Sequence, residues 1–297
     1  MTGERQSHSQ GEIMKIARFK QNGVVRIGVV LGEEIADVSS VNPAIPDDLR
    51  TLLESDGISS LNAYALKAPR VLVADVELLA PIAQPPEFLA IGLNYFDHIV
   101  ETQMVKPDGV PMVFNKQSTC ITGPNDPIVI PTAAPDNVDY EGELGIVIGK
   151  KCRSVKAKDA RSVIGGYLVV NDVSVRDWQM QSATMTMGKS WDTHGPIGPW
   201  LVTDDEIGNP NDLRLQTWVD GELRQDARTS ALIHSCEELI EYLTTAFTLL
   251  PGTIIATGTP AGVGFKMNPP GLLKPGQRVR VEIEGIGYID NPVIADQ

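Results

Sequence analysis

The chain has 297 residues, and at roughly 150 residues per domain that length fits two domains, or one large domain with a small attachment. With 25 Lys and Arg against 38 Asp and Glu, the net charge is -13, which excludes a general nucleic-acid or anionic-membrane binder. A hydrophobic fraction of 42% is enough for a buried core and excludes a disordered chain, and no apolar run is long enough to span a membrane as a helix.

Residues 1–13 are polar, without the apolar stretch of a signal peptide, and read as a flexible leader. Residues 14–80 read as a small structural module, with strands over 24–31 and 35–38 and a short helix over 47–55. Pro81 and Gln84-Pro85-Pro86 punctuate the chain before a larger part over 85–297. There the strand candidates are 88–92, 144–149, 166–171, 213–219, 253–257 and 278–284, and Asp220-Gly221 after an alternating run signals a hairpin. A helix is expected over 235–250, opened by a Ser235/Glu238 capping box, with Leu239, Leu243, Ala246, Phe247 and Leu250 on one face. The elements show no βαβα alternation. The expected fold is therefore α+β and β-rich, a barrel or roll with a few helices. Cys120, Cys152 and Cys236 are odd in number, far apart and free of any CxxC pair, so they read as ordinary thiols of a reducing compartment, and the default location is the cytoplasm.

Five stretches carry possible chemistry, each with a plainer alternative. In Asp139-Tyr140-Glu141-Gly142-Glu143-Leu144, a strand points Glu141 and Glu143 the same way. Such a pair is a solvated strand end or part of a site for a hard divalent cation such as Mg²⁺. In Asn171-Asp172-Val173-Ser174-Val175-Arg176-Asp177, Asp172 stands where an apolar strand runs out, as a turn residue or as a third carboxylate, and Arg176 and Asp177 can form a structural ion pair. On a helical turn His98 and Glu101 face the same way, and a carboxylate beside a histidine favours its role as proton acceptor from water, although a surface histidine is the commoner case. Gly188-Lys189-Ser190 lacks the first glycine and leading strand of a P-loop, which leaves Lys189 as a surface lysine or the partner of an anionic substrate. Thr257-Gly258-Thr259-Pro260-Ala261-Gly262-Val263-Gly264 is a plain glycine turn or a loop whose N–H groups hold a carboxylate or oxyanion.

Taken in order, and with Gly92-Leu93-Asn94-Tyr95, Gly188-Lys189-Ser190-Trp191-Asp192 and Gly195-Pro196-Ile197-Gly198-Pro199, these stretches resemble the fumarylacetoacetate hydrolase family from about residue 85 to the end. The resemblance implies a mixed β-roll catalytic domain behind a smaller N-terminal domain, a homodimer, and a Mg²⁺ or Mn²⁺ site with Glu141, Glu143 and Asp172 as ligands. It also implies His98 and Glu101 as a water-activating pair on a lid, Lys189 and Gln179 as substrate contacts, and Thr259 as a contact to the substrate carboxylate. Trp191, Thr253 and Met187 depart from residues frequent in the family, and Met187, with Met180 and Met185, is expected to make the pocket more apolar.

The expected substrate is a small anionic acylpyruvate-like 2,4-dioxo acid. His98, oriented by Glu101, takes a proton from water; the hydroxide attacks the distal carbonyl; the C–C bond breaks to a pyruvate enolate whose charge the metal and Lys189 stabilise, with Arg176 adding local positive charge. The alternatives are decarboxylation or isomerisation of a 2-oxo diacid of the oxaloacetate or hydroxymuconate type, and a metal-binding relative without catalysis.

Overall fold

A computed structural model describes residues 14–55, 57–105 and 109–296; the leader expected at 1–13 lies outside the described residues. The chain opens with a hairpin, Lys15–Gln21 against Val24–Leu31. Asn22 and Gly23 form its turn with φ of 51° and 79°, the left-handed pair that matches the twist of the flanking strands. The expected Asp220-Gly221 hairpin is built the same way, with φ of 51° and 79°, and joins Arg214–Val219 to Glu222–Arg228.

The hairpin belongs to a large mixed sheet. Its order runs Arg70–Leu72, Glu34–Asp37, Val24–Leu31, Lys15–Gln21, Gly195–Val202, Ile164–Asn171, Gly142–Ile148, Ile254–Ala256, Phe88–Gly92 and Met112–Lys116. Most neighbours are antiparallel; Ile254–Ala256 and Phe88–Gly92 run parallel. Lys15–Gln21 pairs with Gly195–Val202, so one sheet continues from the first strands into the later part of the chain. A second sheet, Glu222–Arg228, Arg214–Val219, Arg278–Ile283, Gly287–Ala295 and Ile128–Ile130, packs against its middle. The architecture is the expected β-rich α+β fold, with mixed sheets and no closed barrel among the described residues.

The strand Gly142–Ile148 is buried along its whole length because both faces are covered. Leu144, Ile146 and Ile148 join Val279, Val281 and Ile283 of the second sheet in one core. Val147 faces the other way, into a core with Leu168, Ile197, Ile16, Ile27 and Leu52. Each such side chain stabilises the fold by about 1.5–3 kcal/mol, so the central strands form a rigid base for whatever stands at their ends.

The expected helix is shorter than its pattern. It spans Cys236–Ala246, with the Ser235/Glu238 capping box in place, and Phe247 is already extended as its C-cap. The buried face is Cys236, Leu239, Ile240, Leu243 and Thr244, while Ala246, Phe247 and Leu250 are exposed. Leu249 leaves the helix to pair with Cys152, and this bridge ends the helix before Pro251. Among the described residues no helix is long and apolar enough to cross a membrane.

Candidate metal centre and pocket

Strand register assembles the centre. Gly142 pairs with Asn171 and Glu143 with Val170. One step further, the Asp172 N–H donates to the Glu141 carbonyl at 2.8 Å, and the Glu141 N–H donates to Asn171 Oδ1 at 3.0 Å. Side chains opposite each other across a strand pair share a face, as do residues two apart in one strand, so Glu141, Glu143 and Asp172 project together. One oxygen from each lies within 4.8 Å of the others, and all three residues are buried.

Three cations press on this cluster. Lys189 Nζ donates to Glu141 Oε2 at 2.6 Å and to Asp172 Oδ2 at 2.8 Å. Arg176 joins Glu141 Oε1 at 2.6 Å to Asp139 Oδ2 at 2.9 Å. Lys116 Nζ pairs with Asp172 Oδ1 at 2.7 Å and also donates to the Lys189 carbonyl. Burial works to raise the Glu141 carboxyl, but Lys189 and Arg176 overcome it and hold the group well below the usual carboxylate range. Burial likewise works against the Lys189 ammonium, and Asp172 and Glu141 outweigh it, so the lysine stays charged. Glu143 differs. Burial pushes it up and the charges of Asp172 and Glu141 push it further, well above its ordinary value; the Gly258 N–H, donating to Oε2 at 2.7 Å, is too little to offset them.

Four buried carboxylates, Asp139, Glu141, Glu143 and Asp172, thus meet three buried cations, and the shortfall falls on Glu143. A converging all-oxygen donor set that lacks positive charge fits a hard divalent cation, held by Glu141, Glu143 and Asp172.

Beside the cluster lies a cavity of about 190 Å³. Glu141, Glu143, Arg176 and Lys189 give it a polar end, and Met104, Met112, Met180, Met185, Phe114 and Phe265 supply apolar wall. His98, on the helix Phe96–Thr102, also lines it, with Nδ1 3.4 Å from Glu101 Oε2. Glu101 is itself fixed, because Oε1 accepts the Gly262 N–H at 3.0 Å. Gln179 and Thr259 line the cavity too, but their polar atoms are engaged by the protein. Gln179 Oε1 accepts from Arg176 at 3.0 Å; the Thr259 hydroxyl donates to the Gly142 carbonyl at 3.0 Å and accepts from Gln225 at 2.8 Å.

Several expectations change. Arg176 does not pair with Asp177; it pairs with Asp139 and Glu141, because adjacent residues on a helix point apart. The glycine-rich loop does hold carboxylates, but they are the protein's own. Gly258 binds Glu143, Gly262 binds Glu101, and Gly264 and Phe265 bind Asp139. Met180 and Met185 line the cavity as expected, whereas Met187 lies in a separate groove with Trp178 and Trp191. Lys116 and Asp139 were not foreseen. Nothing in local spacing marks Lys116, and Asp139 heads its motif with no neighbour in sequence that betrays its bond to Arg176.

A mixed β-rich fold carrying three convergent buried carboxylates beside a pocket with a histidine–glutamate pair has the donor set a divalent cation would need. Residues 87–294 match the fumarylacetoacetate (FAA) hydrolase C-terminal family, and residues 14–81 match the Rv2993c-like N-terminal family. The chain belongs to the fumarylacetoacetate hydrolase family. It is 40% identical over 298 residues to a mitochondrial oxaloacetate tautomerase of Xenopus laevis, covering 97% of this chain and 92% of that protein. Among solved structures it resembles a fumarylacetoacetate hydrolase from Exiguobacterium antarcticum, with TM-score 0.86, 37% identity, and coverage of 95% of this chain and 100% of that one. It also resembles a maleylpyruvate hydrolase from Sphingobium sp. SYK-6 in complex with manganese(II) and pyruvate, with TM-score 0.80, 33% identity, and coverage of 96% and 100%.

Proposed function

We propose that this protein is a divalent-metal-dependent hydrolase that cleaves the C–C bond of an acylpyruvate-like 2,4-dioxo acid. The observation that carries this reading is the His98–Glu101 pair, at 3.4 Å, on the wall of the cavity that Glu141 and Glu143 also line. A cation held by Glu141, Glu143 and Asp172, Mg²⁺ or Mn²⁺, supplies Lewis-acid stabilisation of oxygen-centred negative charge.

The chain's own residues do the rest. His98 accepts a proton from water, and Glu101 steadies the imidazole and the charge it gains. The hydroxide adds to the C4 carbonyl, the C3–C4 bond breaks, and its electron pair passes into the 2-oxo acid fragment as an enolate. His98 returns its proton to C3, giving pyruvate and a carboxylic acid. Lys189 has three N–H donors, of which two are engaged by Glu141 and Asp172. The third is free for the substrate's oxygens, and Arg176 adds positive charge that makes an acidic protein receptive to an anion. Gln179 and Thr259 act here through shape and through the groups they hold.

A second reading is supported by the Xenopus laevis relative, whose name is that of an oxaloacetate tautomerase. In it the C2 hydroxyl of the enol gives up its proton to water and His98 delivers a proton to C3, so the enol of a 2-oxo diacid becomes its ketone with no bond broken between carbons. Product analysis separates the two. With Mn²⁺ or Mg²⁺ present, the hydrolase releases pyruvate and an acid from 2,4-dioxo acids, whereas the tautomerase speeds decay of the oxaloacetate enol absorbance and leaves the carbon skeleton whole. No metal-dependent change in either assay overturns both readings.

A further inference from the structure

We propose that Gln225 is a positioning residue for the metal centre: its carboxamide completes the strand ladder at Gly142 and so holds Glu141 and Glu143 in register with the loop that binds Glu143 and Glu101. The inference rests on the reading of Glu141, Glu143 and Asp172 as ligands of a divalent cation.

Glu141 and Glu143 stand on either side of Gly142, at the head of the strand Gly142–Ile148. Backbone groups two residues apart in a strand face the same edge. Ile148 and Leu144 bond on one edge to Thr253 and Thr257, around the neighbouring strand Ile254–Ala256. Gly142 faces that edge too, but there the neighbouring strand has ended, and the chain turns at Gly258 with φ of 108°. The N–H and C=O of Gly142 are left without a strand to meet them, and buried backbone groups need partners.

Side chains take the place of the strand. Gln225 Oε1 accepts the Gly142 N–H at 3.0 Å, and the Thr259 hydroxyl donates to the Gly142 carbonyl at 3.0 Å. Gln225 Nε2 donates to Thr259 Oγ1 at 2.8 Å and to the Pro260 carbonyl at 2.9 Å. Only one orientation of the amide satisfies this set, because the Gly142 N–H is solely a donor and the Pro260 carbonyl solely an acceptor. Since Thr259 Oγ1 accepts from Nε2, its single hydrogen is left for Gly142.

Gln225 reaches this point from the second sheet, on Glu222–Arg228, paired with Thr217. It is 1% exposed and both of its N–H bonds are used, so it has no donor for a substrate and acts through the residues it holds. Packing fixes its place. A Cβ on Gly142 would lie 2.3 Å from Thr217 Oγ1, and one on Gly262 would lie 2.0 Å from the Arg224 carbonyl oxygen. The loop is thus seated on the same strand that carries Gln225. From that loop Gly258 donates to Glu143 and Gly262 to Glu101. One carboxamide therefore ties the backbone between the two glutamate ligands to the loop that fixes both carboxylates.

The test is Mn²⁺ binding, followed by electron paramagnetic resonance, for full-length wild type, Gln225→Met, Thr259→Val and the double variant, with melting temperatures measured alongside. Residues that orient metal ligands typically set affinity by about 10- to 100-fold, and Gln225→Met is expected to weaken Mn²⁺ binding within that range. Thr259→Val should weaken it as well, and the double variant should bind no more weakly than the weaker single one, because both substitutions break the same bridge. Should Gln225→Met not fold, Gln225→Asn, which keeps the amide but one methylene short of its partners, carries the same expectation. A folded variant at position 225 with a lowered melting temperature but wild-type Mn²⁺ affinity would reduce Gln225 to a packing residue and overturn the inference, as would additive losses in the double variant. A wild-type protein that binds no Mn²⁺ would overturn the metal reading and this inference with it.

Discussion

His98 is held on one side only. Its Nδ1 faces Glu101, and Glu101 is pinned by the Gly262 N–H, so the imidazole has a fixed partner but no bond to the acidic cluster. Removing it should therefore separate chemistry from metal binding. His98→Ala is expected to lower kcat about 10²–10⁴-fold while Mn²⁺ affinity stays close to wild type; a near-normal kcat would remove His98 from the reaction. At this scale the pairing of His98 with Glu101 was legible, because an i,i+3 spacing needs only a helix to become a contact. The commitments of Arg176, Gln179 and Thr259 were not. Their partners lie at Asp139 and Glu141, at Arg176, and at Gly142 and Gln225, and tertiary folding alone brings most of these together.

Among elements, the centre depends on the packing of two very short helices, Arg176–Gln179 and Thr186–Lys189, which carry Arg176 and Lys189. Gly188 is the contact between them, since a Cβ there would lie 2.2 Å from the Gln179 backbone nitrogen. Gly188→Ala must push the two apart. It is expected to cost about 1–3 kcal/mol of stability by overpacking and to lower kcat/KM by displacing both cations; a variant with wild-type melting temperature and kcat/KM would contradict this. The two central strands, Gly142–Ile148 and Ile164–Asn171, were legible as 144–149 and 166–171, each about two residues short at its start, with Glu143 in the first and Glu141 and Asp172 just beyond their ends. The end of the helix Cys236–Ala246 was not, because its apolar spacing continues past the point where Leu249 pairs with Cys152. Helix periodicity records which residues are apolar, and a competing backbone bridge leaves no mark on it.

For the molecule as a whole, a net charge of -13 surrounds a centre where buried cations are concentrated, and the pH response of the fold depends on what is buried neutral. His194 is fully buried, with Nε2 2.9 Å from the Val129 carbonyl, and burial, reinforced by Lys116, lowers its pKa to about 4 despite that bond. Between about pH 6.5 and 4 the unfolded chain takes up a proton that the folded chain refuses, so stability falls as pH falls through this window, by about 3 kcal/mol in all. Urea unfolding of wild type and His194→Asn at pH 7 and pH 4 should show a smaller acid-induced loss in the variant; equal losses would contradict the assignment. The most direct test of the central claim is Mn²⁺ binding followed by electron paramagnetic resonance on the wild type and on a Glu143→Gln, Asp172→Asn double variant whose circular dichroism is unchanged. One tightly bound Mn²⁺ per wild-type chain and none in the variant is the expected result. Stoichiometric binding retained by the folded variant, or no binding by the wild type, would contradict it.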